Sequence, residues 1–295
     1  QRRGRERDPH RNRRARDEEE PFRHDRAREK LHVADRKQRC REERERHAPH
    51  GAAANRDPDP RGHGGEGEEP RGEDGIGRVH LTTGGSLGGM VTLTLAALAP
   101  ERFERILPFA ASLAASAWVV GWNHVARQIL RLDPGYPDNV GRGLEIARQL
   151  AILTYRAEPG LDARQPRPTP GTDAGYPVQS YLEHQGRKLR HRFAAPAYEL
   201  QLAAMDHHDL LQPLPGDTVP AISRVRASAL VVDVDTDQLF TPAQAAALTA
   251  QLRAAGARVE RETVASIHGH DAFLIEWPAL GPLLTKALHL HAPAQ

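Results

Sequence analysis

This sequence has very little cysteine, no long apolar run and, over its first quarter, almost no large apolar side chain. Cys40 is its one cysteine, which excludes an internal disulfide framework and a cysteine-based metal cage and favours a reducing compartment. No stretch approaches the roughly 18 apolar residues that a membrane-spanning helix needs. The N-terminus is rich in Arg but also in Glu, without an apolar core, so it does not match a secretory signal. These absences predict a cytoplasmic protein that does not enter a membrane.

Residues 1–74 form a separate, highly charged segment. Its large apolar side chains are Phe22, Leu31 and Val33, too few to offset the entropy of ordering the chain, and we expect it to be disordered. It holds 21 basic and 19 acidic residues, so it lacks the strong basic field that attracts nucleic acid. The abrupt change at Gly75 motivates the hypothesis that the segment is an out-of-frame translation of a GC-rich gene, which resequencing the upstream DNA would test.

Residues 75–295 alternate strand-like and helix-like stretches, the pattern of a mainly parallel α/β sheet. The predicted strands are "RVHLTT" (78–83), "RILPFAA" (105–111), "SALVVDVD" (228–235) and "ARVERETV" (257–264). Helices are predicted over 89–99, from 242 to 253 and at the C-terminus. Thr241 and Gln244 around Pro242 predict a capping box at the start of the second of these helices.

A helical insertion is predicted over about 117–205. Four stretches in it carry apolar residues at spacings of three and four: 117–130, 141–155, 181–193 and 197–205. The Pro- and Gly-rich connection over 156–177 has no periodicity. Trp118 and Trp122, four residues apart, predict packing within this insertion or a dimer surface.

Gly84, Ser86 and Gly88 in "GGSLGG" lie between a strand-like and a helix-like stretch. This is the setting of a nucleophile elbow, in which a strained turn exposes a reactive serine. A glycine-rich turn before a helix also serves packing or phosphate binding, so the motif alone leaves both interpretations open.

A serine nucleophile needs a base and an acid that orients it, which in this architecture follow in the order Ser, Asp or Glu, His. Asp237 follows the third strand and His270 the fourth, where a parallel sheet presents its functional loops. Asp233 and Asp235 fall within or at the end of the strand and are better explained as strand-end or turn residues. His268 remains a rival to His270 by position.

The motifs "GGSLGGM", "DTDQLFTPAQ" and "HGHDAF", with "WNHVARQIL", "LTYR" and "YLEHQG" between them, resemble the homoserine O-acetyltransferase family. The resemblance covers residues 75–295 and implies an α/β-hydrolase fold with a helical lid, its N-terminal strands missing or replaced. It implies that Ser86 is the nucleophile, Asp237 the orienting acid and His270 the base. It also implies that Arg156 binds the acceptor carboxylate and that Asp271 contacts the amino acid substrate.

The resemblance further implies acyl transfer from acetyl-CoA to homoserine in methionine biosynthesis, with acyl-CoA as a co-substrate, no bound cofactor and no metal. It implies a homodimer formed through the lid. The N–H of Leu87 is expected to donate to the oxyanion, and a second donor is expected from the missing N-terminal half. Succinyl transfer, serine as the acceptor, a plain esterase and an inactive remnant remain alternatives.

The remaining candidates are expected to be structural. The histidines of the insertion have no metal-site spacing and are expected at the surface or in the core: His184, His191, His207 and His208. Arg127 and Arg148 are expected to be solvated or salt-bridged helix residues.

Overall fold

A four-stranded parallel sheet organises the part of the chain that the computed structural model describes, residues 76–169 and 175–291. In spatial order its strands are β1 (Thr82–Gly85), β2 (Arg105–Phe109), β3 (Ser228–Val234) and β4 (Val259–Val264). All described residues belong to one compact unit, Gly67–Gln295. The segment 1–74 that the sequence predicts to be disordered lies outside the described residues.

The strands follow the sequence prediction closely except at β1. Every residue of β3 is buried, as expected for a continuously apolar strand covered on both faces. The first strand begins at Thr82 and ends at Gly85, later than the predicted 78–83. The reason is that Val79 forms only an isolated bridge to Phe103, with regular pairing to β2 starting at Thr82 and Ile106.

Eight α-helices accompany the strands in the described residues. They are α1 (Leu87–Leu98), α2 (Ala117–Arg131), α3 (Arg142–Tyr155), α4 (Glu158–Arg164), α5 (Pro177–Arg190), α6 (Ala195–Asp206), α7 (Pro242–Ala254) and α8 (Trp277–Leu288). Buried side chains of α1 and α7 pack with those of β2 and β3 in one apolar cluster, and α8 contributes to a second with β2 and β3. The sheet is therefore covered by helices, and its functional loops lie at its carboxyl edge.

The predicted capping box of α7 is confirmed. The Thr241 hydroxyl accepts from the Gln244 backbone N–H at 3.4 Å, and the Gln244 side chain accepts from the Thr241 N–H at 2.9 Å. Two N–H groups without an intrahelical acceptor are thus satisfied at the start of the helix. This fixes where the chain leaves the loop that contains Asp237.

Helices α2 to α6 correspond to the predicted helical insertion, here called the lid (residues 117–206). Residues of α2, α3, α5 and α6 form a third apolar cluster of their own. Helix α4 was missed, because the sequence over 156–177 lacks periodicity. It is only seven residues long and has a proline in its first turn, too short for an apolar repeat to show.

Charged side chains connect the lid helices. Asp206 on α6 accepts from Asn123 on α2 at 2.7 Å and pairs with Arg127, so Arg127 is salt-bridged as predicted. Glu145 on α3 contacts Arg142 at 3.0 Å and Arg190 on α5 at 3.2 Å. Burial alone would raise the pKa of Glu145, but these arginine contacts outweigh it and hold the pKa below its ordinary value.

His208 is a core residue. Its Nε2 bonds to the Ser112 carbonyl at 2.9 Å, and burial lowers its pKa below the ordinary value. Within residues 76–169 and 175–291, no three His, Cys, Asp or Glu side chains are grouped as metal ligands. No helix in these ranges is long and apolar enough to cross a membrane.

Candidate active site

Three loops at the carboxyl edge of the sheet contain the residues predicted to form a catalytic triad. Ser86 follows β1, Asp237 follows β3 and His270 follows β4. Parallel strands end at the same edge, so residues far apart in the sequence meet there. Asp237 and His270 are almost completely buried.

Ser86 adopts the strained backbone that a nucleophile elbow requires. Its φ is 57° and its ψ is −125°, a region that residues with a side chain rarely enter. Its N–H donates to the Phe109 carbonyl of β2 at 2.9 Å, and its own carbonyl accepts from Met90 at 3.1 Å. The turn is thus held on one side by the sheet and on the other by the first turn of α1.

The two glycines of the motif have different roles. A Cβ on Gly84 would collide with the backbone of Gly88, so the approach of strand and helix requires glycine at 84. A Cβ on Gly88 would meet nothing within 4 Å, so packing does not require a glycine at this position of the motif. The second tight position is instead Gly89, where a Cβ would lie 2.8 Å from the Ala111 side chain.

Asp237 and His270 form a buried hydrogen-bonded pair. The Nδ1 of His270 lies 2.7 Å from Oδ2 of Asp237, whose Oδ1 accepts from the backbone N–H groups of Leu239 at 2.8 Å and Phe240 at 3.0 Å. Three donors to one carboxylate fix its orientation. A proton on Nδ1 leaves Nε2 of His270 as the acceptor.

Three aromatic rings enclose the imidazole of His270. The ring centroids lie 5.2 Å away for Phe240, 5.6 Å for Tyr155 and 5.5 Å for Phe273. A Cβ on Gly85, the residue before the serine, would lie 2.7 Å from the Phe273 ring. The residue before Ser86 and the imidazole of His270 therefore both contact Phe273, and among the described residues no hydrogen bond joins Ser86 to Nε2 of His270.

The second ring nitrogen of His270 is unpaired within the described part of the chain. Its Nε2 is buried and has no hydrogen-bond partner among the described residues. A buried acceptor without a partner is costly in a fold, and such groups occur where a site awaits a ligand or a proton. A carboxylate behind the ring and an unpaired nitrogen in front are what the predicted general-base role of His270 requires.

The geometry separates the rival residues that the sequence left open. His270 contacts Asp237 directly at 2.7 Å, whereas the carboxylate near His268 is that of Glu276, at 3.9 Å. Asp233 pairs with Arg261 at 2.7 Å, and Asp235 accepts from the Ser266 N–H at 3.0 Å. Both acids therefore have structural partners, as expected.

Arg156 and Asp271 lie against each other. Arg156 ends helix α3 of the lid, and its Nε is 3.0 Å from Oδ2 of Asp271, the residue after His270. The contact is an ion pair and not a hydrogen bond, because the Nε–H of Arg156 does not point at the carboxylate oxygen. Both side chains are largely buried, at 15% and 11% exposure. The structure thus joins the two residues predicted to bind an amino acid.

Leu87, whose N–H is predicted to donate to the oxyanion, lies at the N-terminus of α1. Leu87 is the first residue of α1, and the first N–H groups of a helix have no intrahelical acceptor. The helix dipole adds a partial positive charge at this end. The second oxyanion donor, expected upstream of the elbow, falls outside the described residues.

The sequence did not predict that aromatic rings surround the imidazole of His270. Tyr155 directly precedes Arg156, Phe240 lies in "TDQLF" and Phe273 in "HGHDAF". Their position within or next to the motifs that carry the family resemblance could have indicated that these rings lie near the site. Arg148, expected to be solvated or salt-bridged, has its guanidinium 5.7 Å from the centroid of the Tyr155 ring.

Comparison with known proteins gives two curated relatives of particular interest. The sequence is 37% identical over 215 residues to the homoserine O-succinyltransferase of Laribacter hongkongensis, covering 68% of this chain and 57% of that protein. It is 39% identical over 212 residues to the homoserine O-acetyltransferase of Thermus thermophilus, covering 70% and 52%. The chain thus spans little more than half the length of these relatives. No family model matches it.

Solved structures agree on the fold. The homoserine O-acetyltransferase from Bacillus anthracis superposes with a TM-score of 0.68 at 19% identity, covering 76% of this chain and 63% of that one. Esterase E22 superposes with a TM-score of 0.62 at 14% identity, covering 72% and 61%. These likenesses show an α/β-hydrolase fold. Because a transferase and an esterase share it, the substrate must be argued from the site.

Proposed function

Because the chain belongs to the homoserine O-acyltransferase family of the α/β-hydrolase fold, we propose that it transfers an acetyl group from acetyl-CoA to the hydroxyl of L-homoserine. The observation that carries the proposal is the Arg156–Asp271 pair, at 3.0 Å, directly beside His270. A site with one cation and one anion next to the base matches an amino acid zwitterion. A simple ester offers no such pair of charges.

The first half-reaction acylates Ser86. Its Oγ attacks the thioester carbonyl while Nε2 of His270 takes the hydroxyl proton, and Asp237 stabilises the imidazolium. The Leu87 N–H donates to the oxyanion; one such donor contributes about 2.7–4 kcal/mol of transition-state stabilisation. Collapse of the tetrahedral intermediate breaks the carbon–sulfur bond, and the coenzyme A thiol leaves with the proton from His270. The acyl-CoA is a co-substrate, and this chemistry needs no resident cofactor or metal.

The second half-reaction transfers the acyl group to the acceptor. Arg156 binds the homoserine carboxylate and Asp271 its ammonium group, which orients the acceptor hydroxyl towards the acyl-enzyme. His270 removes the hydroxyl proton, the oxygen attacks the ester carbonyl, and Ser86 leaves with that proton. Transfer outcompetes hydrolysis because the bound acceptor takes the place of water.

Succinyl-CoA is the second candidate donor. It is favoured by the 37% identity to a protein named homoserine O-succinyltransferase. Both donors use the same triad chemistry, so they differ only in the pocket that holds the acyl group. Serine is the alternative acceptor, one methylene shorter than homoserine.

The deciding experiment measures coenzyme A release by the full chain. Acetyl-CoA and succinyl-CoA are each tested alone, with homoserine and with serine. We expect steady release only with homoserine, faster with acetyl-CoA, and a product with the mass of O-acetylhomoserine. Release indifferent to amino acids would identify an esterase-type hydrolase, and no release with any pair would identify an inactive remnant. Repeating the assay on a chain with the upstream frame restored tests the frame hypothesis.

A homodimer formed through the lid is part of this proposal. Helix α2 exposes the apolar side chains of Trp118 and Val125, and Leu132 at its C-cap is also exposed. Of these, Trp118 is 55% exposed and Leu132 is 82% exposed, and a second copy would cover them. We expect Leu132→Glu to shift the mass by light scattering from dimer to monomer. Leu98→Glu, on another exposed leucine, is the control. A monomeric parent chain would contradict the dimer.

We assign the reaction to methionine biosynthesis in the cytoplasm. O-acylation converts the homoserine hydroxyl into a leaving group, which a later sulfur-transfer step requires. Acyl-CoA donors are cytoplasmic metabolites. Detection of the tagged chain in the soluble cytoplasmic fraction, and rescue of growth without methionine, would support this assignment.

A further inference from the structure

The side-chain hydroxyl of Thr236 joins the loop of Asp237 to the loop of His270. It donates to the Ser266 carbonyl at 2.5 Å and accepts from the Gly269 N–H at 3.1 Å. Thr236 directly precedes Asp237, and Gly269 directly precedes His270. One hydroxyl therefore connects the neighbours of the two residues that form the buried acid–base pair.

The Thr236 bonds begin just beyond the last paired residues of β3 and β4. The pairing of β3 with β4 ends at Val234 and Val264. Beyond it, Asp235 accepts from the Ser266 N–H at 3.0 Å, and Thr236 makes the next two bonds. Side chains thus continue the connection between the strands up to the catalytic pair.

The loop of His270 needs such an anchor. Gly269 has a φ of +64°, a conformation that only glycine adopts readily, so the chain turns sharply just before the imidazole. A Cβ on Gly269 would lie 2.6 Å from the backbone nitrogen of Ala157, which shows how closely the lid approaches here. A bond from Thr236 to the Gly269 N–H fixes the peptide that sets the direction of His270.

We propose that Thr236 is a positioning residue that holds the His270 imidazole against Asp237 and towards Ser86. The proposal rests on the proposed function, in which His270 is the base. Thr236 acts through the backbone of Gly269 and Ser266 and makes no contact with the substrate. Catalytic geometry tolerates little displacement, since a misplacement of about 1 Å can cost about a hundredfold in rate.

The test compares Thr236→Val, which keeps the shape but removes the hydroxyl, with Thr236→Ser, which keeps the hydroxyl. Thr249→Val is the matched control: its buried hydroxyl bonds the Ala245 carbonyl at 2.8 Å within α7, away from both loops. The full chain is treated with a fluorophosphonate, which phosphonylates an activated serine with loss of fluoride. The rate of modification is followed by mass, with Ser86 identified by peptide mapping. Urea unfolding of each variant measures stability.

We expect Thr236→Val to slow modification about 10- to 100-fold, and Thr236→Ser to stay within about threefold of the parent. Thr249→Val should react like the parent. Parent-like modification of Thr236→Val, or equal slowing of both Thr236 variants, would overturn the proposal. So would a loss of rate that follows only the unfolded fraction.

A second measurement separates this proposal from the proposed function. In the NMR spectrum of the parent, the Nδ1 proton of His270 bonded to Asp237 should give a low-field resonance. Thr236→Val should shift it upfield or broaden it by exchange, and an unchanged resonance would refute the positioning role. If the parent is not modified at Ser86, the proposed function fails, and this resonance still decides the role of Thr236.

Discussion

The Nε of Arg156 lies 3.0 Å from Oδ2 of Asp271, which joins the end of lid helix α3 to the loop that contains His270. The Arg156 carbonyl also accepts from the Gln238 side chain at 3.3 Å, beside Asp237. In the absence of a bound amino acid, the Arg156 and Asp271 charges neutralise each other. In the proposed reaction a zwitterion replaces one internal ion pair by two, so neither largely buried charge is left alone. An acyl acceptor with only one charged group would leave either Arg156 or Asp271 unpaired, which disfavours its binding.

Arg156→Ala is expected to impair the second half-reaction selectively. Coenzyme A release during acylation does not need the acceptor carboxylate, so the pre-steady-state burst should persist. Loss of a charged hydrogen bond of about 1.5–3 kcal/mol lowers turnover at subsaturating homoserine roughly ten- to two-hundredfold. Rapid-quench measurement of the burst and steady-state assays of turnover give the two values.

Arg156→Lys is the conservative companion. A lysine is a point charge and cannot make a two-pronged contact, so we expect incomplete rescue. If burst, turnover and unfolding midpoint all fall together in Arg156→Ala, the residue only ties down the helix end. An unchanged dependence on homoserine concentration would equally remove it from the acceptor site.

Ser86→Ala and His270→Ala should each abolish formation of the acyl-enzyme, because either change removes the activated nucleophile. His268→Ala should have a mild effect, since it is His270 and not His268 whose ring bonds Asp237. Mass spectrometry after brief exposure to acetyl-CoA detects the adduct. Retention of the adduct in Ser86→Ala would disprove the elbow assignment, and equal damage from both histidine variants would leave the base unassigned.

The glycines at 84 and 88 provide a matched pair of alanine substitutions. Gly84→Ala places a methyl group on the Gly88 backbone and should cost at least about 1–3 kcal/mol of stability, with loss of the elbow. Gly88→Ala meets open space inside α1 and should be neutral or stabilising by up to about 1 kcal/mol. Urea unfolding of both variants decides. Similar losses of stability in the two variants would contradict the close approach of β1 to α1 at Gly84.

His208 should make stability depend on pH. Burial lowers its pKa below the ordinary value of 6.5, with partial opposition from the Ser112 carbonyl and Asp209. The unfolded chain therefore takes up a proton as the pH falls through 6.5 while the folded chain stays neutral. The free energy of unfolding contributed by this site is fully present above about pH 6.5 and declines below it, towards the lowered folded pKa.

The matched comparison for this prediction is His208→Gln, whose amide can still donate to Ser112 but does not titrate. Urea unfolding at about pH 7.5 and about pH 5.5 should show a larger loss for the parent than for the variant. Other titrating groups are common to both proteins and cancel. Equal losses would show that His208 is protonated in the folded chain.

Local pattern in the sequence determined the elements and the elbow. The continuous apolar run of β3, the capping box at Thr241 and the glycine turn around Ser86 each depend on neighbours within a few residues. Such short-range preferences do not depend on the path of the chain, and the structure has these elements at the predicted places. Where local signals were weak, the prediction was wrong: β1 is shifted, and helix α4 was missed.

Only the tertiary structure decided which residues meet. His268 and His270 are equivalent by order along the chain, but the 3₁₀ turn over Gly269–Leu274 directs the second one to Asp237, 33 residues away. The Arg156–Asp271 pair and the Thr236 bridge depend on how the lid and two loops converge after the β3–β4 ladder ends. The sequence alone supplied the residue types and their order, because these follow from local chemistry. Their distances and partners arise from long-range packing, which no short stretch of sequence encodes.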